Sequence, residues 1–458
     1  MIDVTKFVET LNGKPVAVLG LGISNTAVVK ALVKAGAKIA VWDDNEDSRK
    51  KTDAPVKDLT KADLSKFACF VLSPGVRNDH PAALKAKEAG LEIVCDLEIL
   101  HRCGHGRQTI GVTGTNGKST TTALIGHILN ECGIKAAVGG NIGKAALALT
   151  MPPKDGVFVL EMSSFQADLC PTFAPDIAIH LNLTPDHLDR HGTMEAYAEA
   201  KLRIFRGPGK AVIGVDDDWS KKMFDKVEKA GERQCIPVSV GHEKKGGVFV
   251  QEGALFDMTD TEKRKVAALD IASLPGVHNH QNAAMAYAVA RIFGLNPDDI
   301  MNAMRSFPGL PHRQYLVRTI NGVAYVNDSK ATNAAAAARA LACYKNVYWI
   351  AGGRPKTDGP EGLEAFAANI RHAFLIGEAM EAFATWLGNH GVAHNYCHTL
   401  DAAVGDAHRL AQSERGQPGG TGTVLLSPAC ASFDQFKNFE ERGDIFTALV
   451  DDLKEEAA

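Results

Sequence analysis

The sequence lacks any long apolar run. None of its apolar segments reaches the roughly 18 consecutive residues that a membrane-spanning helix needs. Its first residues, MIDVTKFVETLNGK, also lack the apolar core of a secretory signal peptide. Both absences predict a protein of the cytoplasm that does not act in a membrane.

Paired cysteines are lacking as well. Nine cysteines are scattered along the chain, and none stands in a CxxC pair. This spacing argues against a zinc knuckle or a dithiol redox site, and the odd count favours reduced, mostly buried thiols. Cys430 lies between two alanines, which predicts a packed thiol rather than a nucleophile.

Neither sign of charge is in large excess. Lys and Arg total 50 against 54 Asp and Glu, for a formal net charge of -4. This balance gives no bulk attraction to nucleic acid or to an anionic membrane. With 45% hydrophobic and 23% charged residues, the 458-residue chain has the composition of a globular protein of about three domains.

Short apolar runs alternate with helical patterns along the chain, and no internal repeat interrupts them. Val16–Leu19, a glycine turn, a helical segment and Ile39–Trp42 form the first such unit. This order predicts right-handed crossovers and parallel sheets, and therefore an α/β fold. We predict domains over residues 1–106, 107–309 and 310–458, the last beginning in the stiff connector FPGLPHR. The segment 207–275, with short strands and Gly/Lys turns, predicts a small antiparallel insert.

A glycine-rich loop is the most informative local motif. Gly111–Thr120 reads GVTGTNGKST, with a strand before it and a helix after it. In such a loop backbone N–H groups approach phosphate oxygens, and the helix N-terminus adds positive potential. Lys118 would reach the terminal phosphates and Ser119 would bind Mg²⁺. The motif departs from a strict Walker A loop, because Val112 occupies the place of its first glycine.

Two polar strand exits follow the loop. Glu161 ends the next apolar strand, at the edge of a parallel sheet where ligands collect, so we interpret it as a magnesium ligand. Asn182–His191 reads NLTPDHLDRH, in which an imidazole could bind or orient a second Mg²⁺. The spacing of His187 and His191 resembles a zinc motif, but the glutamate of HExxH is absent. The simpler interpretation is a helix N-cap cluster led by Asp186, which is compatible with a metal-binding role.

The N-terminal turn Gly20-Leu-Gly22 resembles half of a dinucleotide-binding fingerprint. Asp43 follows Gly22 by 21 residues, a spacing that suits an acidic residue on a ribose hydroxyl. Asn25 replaces the third glycine. The pattern therefore supports a nucleotide-binding turn of unspecified kind and gives little support to an NAD-dependent oxidoreductase.

Three polar strand exits occur in the last third of the chain. NDSKATN (327–333), GGRPK (352–356) and LSPACASFDQF (426–436) each follow an apolar strand. Polar residues at the ends of several strands, when these ends lie at one edge of a sheet, together form a ligand-binding site. Lys201, in contrast, stands on a predicted helix after acidic residues, where a lysine is ordinarily a surface partner at i,i+4.

These motifs together resemble the Mur ligase family. GTNGKST, LEMSSFQ, NLTPDHLDRH, HNHQN, LPHR, DSKATN and SPACASFDQFKNFEERG are similar to that family along nearly the whole chain. The resemblance implies three domains: a Rossmann-like UDP-binding domain, a central P-loop ATPase domain and a C-terminal Rossmann-like domain. DSKATN and SPACASFDQFKNF are typical of its D-glutamate-adding members. The implied activity is ATP-dependent addition of D-glutamate to UDP-N-acetylmuramoyl-L-alanine through an acyl phosphate, in peptidoglycan precursor synthesis and thus in cell shape and division.

The resemblance also implies roles for individual residues. It assigns catalysis to Lys118, His187 and Lys201, and Mg²⁺ binding, at two sites, to Ser119, Glu161, His187 and a CO₂-derived carbamate on Lys201. It assigns ATP binding to Gly114, Thr115, Asn116, Gly117, Lys118, Ser119, Thr120, Asn279, Asn282, Arg313 and Asp328. It assigns UDP-substrate binding to Ser24, Gly75 and Asn141, and D-glutamate binding to Lys330, Thr332, Lys356, Ser432 and Phe439. A monomer with small-molecule substrates is expected, without nucleic acid or membrane partners.

One departure and several alternatives remain. Relatives carry a Thr-Arg pair after the acidic residue of the second strand, whereas this chain has Asp44 and Asn45, so its uridine contacts differ. An amide ligase for another amino acid, including one of the folylpolyglutamate type, shares the P-loop. A P-loop NTPase acting as a switch or motor would not need the three C-terminal strand exits.

Overall fold

The computed structural model describes residues 2–260, 262–355, 359–415 and 421–454. Contacts divide the chain into two compact units. One comprises the residues up to Leu269 together with His278–Ser306, and the other comprises Asp270–Val277 together with the residues from Phe307 onward. Each unit is described on its own.

The first unit begins with a four-stranded parallel sheet of order β2-β1-β3-β4. Its strands are Val16–Leu19 (β1), Ile39–Trp42 (β2), Cys69–Leu72 (β3) and Ile93–Val94 (β4). The accompanying helices are Thr5–Thr10 (α1), Ile23–Lys34 (α2), Glu46–Lys50 (α3), Pro81–Glu88 (α4) and Asp96–Arg102 (α5). Every residue of β1 and β3 is buried, as expected of parallel strands covered on both faces.

A nine-stranded sheet follows in the same unit, in the order β13-β12-β11-β10-β9-β8-β5-β7-β6. Its strands are Gln108–Thr113 (β5), Ala136–Gly140 (β6), Val157–Glu161 (β7), Ile177–His180 (β8), Gly209–Gly214 (β9), Arg233–Val240 (β10), Val248–Gln251 (β11), Ala254–Asp257 (β12) and Arg264–Ala268 (β13). The helices are Lys118–Glu131 (α6), Ser164–Asp168 (α7), Leu188–His191 (α8), Met194–Leu202 (α9), Asp218–Ala230 (α10), His278–Ile292 (α11) and Pro297–Arg305 (α12).

The expected antiparallel insert over 207–275 is wrong in part. Strands β9, β10 and β11 continue the parallel sheet, and only the β11–β12 and β12–β13 pairs are antiparallel. Hydrogen bonds from β8 to β9 fix this extension, which adds the segment to the edge of the existing sheet.

The second unit contains a six-stranded sheet of order β14-β15-β19-β16-β17-β18. Its strands are Tyr315–Ile320 (β14), Val323–Asn327 (β15), Val347–Gly352 (β16), Ile370–Ile376 (β17), His394–His398 (β18) and Thr423–Leu426 (β19). The helices are Ala334–Cys343 (α13), Met380–Asn389 (α14), Leu400–Ser413 (α15) and Phe439–Asp451 (α16). All pairs except β14–β15 are parallel.

The central strands of this sheet are buried on both faces. Trp349 lies in one apolar cluster with residues of α13 and α14, and its neighbour Tyr348 lies in another with residues of α15 and α16. Side chains of a strand alternate between faces, so the two clusters are the two faces of the sheet.

The α/β class predicted from the sequence is confirmed by these parallel-rich sheets. The three sheets fall within the three predicted segments, whereas contacts divide the chain into two units. The boundaries at residues 106 and 309 therefore stay a prediction. Among the described residues, no helix is long and apolar enough to cross a membrane. All nine cysteines are free thiols.

Candidate active site

The glycine loop lies between β5 and α6, where its backbone has little room. Gly114 and Gly117 have φ values of +151° and +83°. A Cβ atom on Gly114 would lie 2.9 Å from the Leu181 Cβ, and one on Gly117 would collide with Asn282 Oδ1. The N-cap residue of α6 is Gly117, which has no side chain to cap the first turn. The loop thus presents backbone and helix N–H groups, as an anion site requires.

Hydrogen bonds to the segment after β8 hold the loop in place. Asn182 accepts from Thr115 N through its carbonyl, at 2.8 Å, and from Asn116 N through its side chain, at 2.9 Å. The Lys118 ammonium curls back over the loop and donates to the carbonyls of Gly114 and Thr115, at 3.0 and 2.8 Å. Its charge therefore lies beside the backbone that would hold phosphates, next to a half-buried Ser119 and a buried Thr120.

Glu161 ends β7 on the same sheet edge and is 2% exposed. Its Oε1 accepts a hydrogen bond from Asn141 Nδ2 at 2.9 Å. Its Oε2 is buried and has no hydrogen-bond partner among the described residues. A buried carboxylate oxygen without a donor is costly, and a hard divalent cation would satisfy it. This orphaned oxygen therefore fits the magnesium that the sequence predicts.

Lys201, on α9, is 2% exposed. Its amine donates to Gly114 O at 2.8 Å and to Thr113 Oγ1 at 3.4 Å, and lies 4.7 Å from the centroid of the Tyr197 ring. Burial and the neighbouring Lys118 ammonium hold the pKa of this amine well below its ordinary value, against the attraction of Asp186 and Glu161. The surface position that the local pattern alone indicates is wrong, and the site favours a neutral amine.

His187 lies on a partly exposed turn near this cluster, with its ring centroid 6.3 Å from that of Tyr197. It precedes α8 with φ +53°, its side chain is 45% exposed, and its Nε2 lies 3.4 Å from Asp186 Oδ2. Within the described ranges no hydrogen bond or ion pair joins it to Glu161 or Lys201. Within those ranges no group of three His, Cys, Asp or Glu side chains could hold a metal. The structure thus brings together Lys118, Glu161 and Lys201, and places the partly exposed His187 beside Tyr197, whose ring lies next to the Lys201 amine.

Asn279 and Asn282 lie at the start of α11 and are buried. Asn282 Oδ1 accepts from Thr121 Oγ1 at 3.1 Å, and Asn282 Nδ2 donates to Asn279 Oδ1 at 2.9 Å. Both amides therefore belong to the packing of α11 against the glycine loop.

The N-terminal turn is closely packed. A Cβ atom on Gly20 would lie 2.7 Å from the Ser73 Cβ. Asp43 accepts hydrogen bonds from Leu21 N at 2.5 Å and Asn45 N at 2.8 Å, so its carboxylate holds the turn. Ser24 is half-buried, and Gly75 faces open space.

In the second unit, strands β15, β19 and β16 are neighbours, so the three polar exits meet at one edge. Asp328 Oδ2 accepts from Ser427 Oγ at 2.8 Å and Oδ1 from Gln314 N at 3.1 Å. Burial raises the pKa of Asp328 to about 7, against the effect of these bonds and of Arg313.

Of the predicted D-glutamate residues, Lys330, Thr332 and Ser432 lie in these exits. The Lys330 ammonium lies 4.9 Å from the Phe439 ring centroid, Ser432 is buried and Thr332 is half-buried. Lys356 lies outside the described residues. Burial raises the pKa of the Cys430 thiol to about 12, in agreement with a packed thiol.

Sequence reasoning missed two polar residues, Arg442 and Tyr197. Arg442 is fully buried and donates to Ser329 Oγ, Ser329 O and Cys430 O at 2.9, 2.8 and 3.2 Å. Tyr197 lies beside both Thr115 and Lys201. The spacing of Tyr197 and Lys201, four residues apart on α9, is the signal that could have placed them on one face.

Two family models match the chain. They describe the Mur ligase middle domain, over residues 112–290, and a Mur ligase MurD-like N-terminal domain, over residues 14–95. A UDP-N-acetylmuramoylalanine–D-glutamate ligase from Paramagnetospirillum magneticum is 47% identical over 453 residues, 97% of each chain. One from Rhizobium meliloti is 48% identical over 463 residues, 98% of each chain.

Solved structures share the fold at low sequence identity. The UDP-N-acetylmuramate-alanine ligase of Thermotoga maritima superposes with a TM-score of 0.60 at 17% identity, covering 96% of this chain and 100% of the other. The UDP-N-acetylmuramoylalanyl-D-glutamyl-2,6-diaminopimelate–D-alanyl-D-alanyl ligase of Acinetobacter baumannii gives 0.57 at 16% identity, covering 98% of each chain. With relatives this similar along almost the whole sequence, the chain belongs to the Mur ligase family.

Proposed function

We propose that the chain is an ATP-dependent ligase that joins D-glutamate to UDP-N-acetylmuramoyl-L-alanine in peptidoglycan precursor synthesis. The observation that carries this is the full-length similarity, at 47–48% identity, to proteins named UDP-N-acetylmuramoylalanine–D-glutamate ligase. Residues 1–106 would bind the UDP moiety in a Rossmann-like domain. Residues 107–309 would bind ATP in a P-loop domain, and residues 310–458 would bind D-glutamate in a Rossmann-like domain.

The reaction needs an activated carboxylate, because a carboxylate and an amine do not condense readily in water. The carboxylate oxygen of the L-alanyl group attacks the γ-phosphorus of ATP, the bond to the β-phosphate oxygen breaks, and ADP leaves. The D-glutamate amine then attacks the acyl carbon. The tetrahedral intermediate loses phosphate and a proton, which leaves the amide.

The loop and Lys118 would stabilise the transferring phosphoryl group. The loop N–H groups and the Lys118 ammonium lie at one place, so two anions can meet there with less repulsion. Ser119 and Glu161 would hold one Mg²⁺, and His187 and the Lys201 carbamate a second. When bound, the metal neutralises charge on the phosphate oxygens.

Lys201 would be modified by CO₂. A neutral amine attacks the CO₂ carbon, one C=O electron pair moves to oxygen, and the nitrogen loses a proton to solvent, which leaves a carbamate. The burial of Lys201 beside a second ammonium supports the neutral amine that this step needs. The product would turn a buried neutral amine into an anion beside the loop.

The C-terminal strand exits would bind D-glutamate. Lys330, Lys356, Thr332 and Ser432 supply charge and hydroxyl groups that suit its two carboxylates, with the backbone near Phe439 completing the contact. Asn141 would contact the muramoyl group, and Ser24 and Gly75 the uridine nucleotide. Asn279, Asn282, Arg313 and Asp328 would complete the ATP contacts. We expect a cytoplasmic monomer that uses small-molecule substrates, without nucleic acid or membrane partners.

Phosphate release tests this proposal. The protein is incubated with ATP, Mg²⁺ and UDP-N-acetylmuramoyl-L-alanine, and with D-glutamate, L-glutamate, L-lysine, diaminopimelate or no amino acid. We expect phosphate and a new amide, identified by mass spectrometry, with D-glutamate alone. Lys118→Met should abolish both, whereas Lys154→Met, at an exposed loop lysine of the same unit, should not.

Other outcomes would contradict the proposal at different levels. Turnover with another amino acid would keep the ligase chemistry and refute the D-glutamate pocket. Phosphate release without an amino acid or nucleotide sugar would indicate an NTPase of another kind.

A further inference from the structure

Arg190 connects two loops of the first unit. Its Nη1 donates to Pro74 O at 3.0 Å and its Nη2 donates to Val76 O at 2.9 Å. Both carbonyls belong to the loop that follows β3 and flanks Gly75, a predicted contact of the uridine nucleotide. The guanidinium plane also covers the Phe165 ring, with Cζ 4.0 Å from its centroid.

Arg190 binds backbone carbonyls and, within the described part of the chain, does not pair with a carboxylate. Among the ion pairs of the described residues none includes this arginine, although Asp79, Asp168 and Asp189 lie in its surroundings. Its donors instead bind two carbonyls two residues apart. This use suits the rigid, planar fork of arginine, which a lysine ammonium cannot reproduce.

The other end of the connection is the segment that carries His187. Arg190 lies on the single turn of α8, where the Arg190 and His191 amides both donate to His187 O at 3.0 Å. His191 Nε2 lies 2.9 Å from Ser164 Oγ, and its ring stacks on Phe165 with centroids 5.5 Å apart. The turn is thus braced by α7, which follows Glu161 in the chain.

Arg190 therefore connects two predicted binding regions, the loop at residues 73–76 and the turn that carries His187. If the loop at 73–76 moves when a nucleotide sugar binds, Arg190 carries that movement to the turn that holds His187. Coupling between two sites through one element must act in both directions.

We propose that Arg190 is a positioning residue that couples the uridine-nucleotide site to the ATP and metal site, by fixing the His187 turn to the loop at residues 73–76. The proposal rests on the proposed function, which assigns substrates to the two sites.

Calorimetric binding tests the coupling. The affinity for UDP-N-acetylmuramoyl-L-alanine is measured with and without a saturating non-hydrolysable ATP analogue and Mg²⁺. The affinity for the analogue is then measured with and without saturating UDP-N-acetylmuramoyl-L-alanine. In the wild type we expect the first ligand to raise the affinity for the second at least about fivefold. In Arg190→Ala the ratio should fall to near one, and in Arg190→Lys it should be intermediate.

Arg206→Ala is the matched control. Arg206 Nη1 also donates to two backbone carbonyls, those of Cys170 and Pro171 at 3.0 and 2.6 Å. In the part of the chain that the structure describes, it has no hydrogen bond to the loop at 73–76. We expect this variant to keep the wild-type coupling. Thermal melting of each variant separates lost coupling from lost folding, and Arg190→Lys serves if the alanine variant does not fold.

The outcomes distinguish this inference from the function on which it rests. Coupling retained in Arg190→Ala, or absent from a wild type that binds both ligands, overturns the role of Arg190 and leaves the ligase standing. Coupling lost equally in Arg206→Ala overturns it too. A wild type that binds neither ligand overturns the proposed function itself.

Discussion

At the residue scale, Lys201 shows how position sets chemistry. An amine that is buried beside another ammonium is favoured in its neutral form, and a neutral amine is the form that reacts with CO₂. The same side chain on an exposed helix face would stay protonated at neutral pH.

The carbamate can be observed directly. In ¹³C-bicarbonate we expect a carbamate ¹³C NMR signal in the wild type and in Lys154→Met, and no such signal in Lys201→Met. Lysine binds a proton as the pH falls, so the signal should disappear as the pH drops through the lowered pKa of Lys201. Activity of Lys201→Met should fall at least about 100-fold, as for loss of one electrostatic stabiliser. A signal that persists in Lys201→Met would contradict this assignment.

The local sequence pattern could not predict this environment, and only the family resemblance singled out Lys201. Lys201 follows acidic residues on a helix, which is the local pattern of a surface lysine. Its burial arises because α9 packs against the loop at Thr113 and Gly114, almost 90 residues earlier. The burial of Arg442 also depends on residues distant in sequence, because its partners Ser329 and Cys430 belong to two separate strand exits. Local pattern does not record such long-range contacts.

At the element scale, strand exits were predictable and one part of the strand pairing was not. Parallel strands place their carboxyl ends together, so apolar runs that end in polar residues predicted the edges at Glu161 and at β15, β16 and β19. Short strands with Gly/Lys turns usually form hairpins, yet β10 and β11 pair in parallel across the connection 241–247. Strands β9, β10 and β11 extend the parallel sheet beyond β8, and the local sequence does not show that this edge is open to them.

The glycine loop gives a prediction about one element. Gly117→Ala places a side chain at φ +83° and against Asn282 Oδ1, which accepts from Thr121 on α6. We expect a loss of about 1–3 kcal/mol in the free energy of unfolding and a raised KM for ATP. Denaturant unfolding and steady-state kinetics measure the two effects.

Gly133→Ala is the control that separates the cost of backbone strain from an effect on the ATP site. Gly133 follows α6 at φ +87°, and a Cβ atom there would meet nothing within 4 Å. This variant should lose similar stability and keep the wild-type KM. An unchanged KM in Gly117→Ala would show that the loop backbone tolerates the added atom.

At the scale of the whole molecule, the second unit has a complete core of its own. Both faces of its sheet are covered by helices of the same unit: α13 and α14 contribute Leu341 and Phe383 to one cluster, and α15 and α16 contribute Val404 and Phe446 to the other. Neither cluster includes a residue of Asp270–Val277, the other segment of this unit, so residues 307–458 hold both clusters and meet the requirement for independent folding.

We therefore expect residues 307–458 to fold alone. Trp349 is fully buried between β-sheet and helix, so its fluorescence should change in one cooperative step during denaturation. A shorter fragment beginning at residue 345 would lose β15, an inner strand beside β19, and should show no cooperative step. If the longer fragment also unfolds without cooperativity, then its core depends on the rest of the chain, and the boundary predicted at residue 309 does not mark an independent domain.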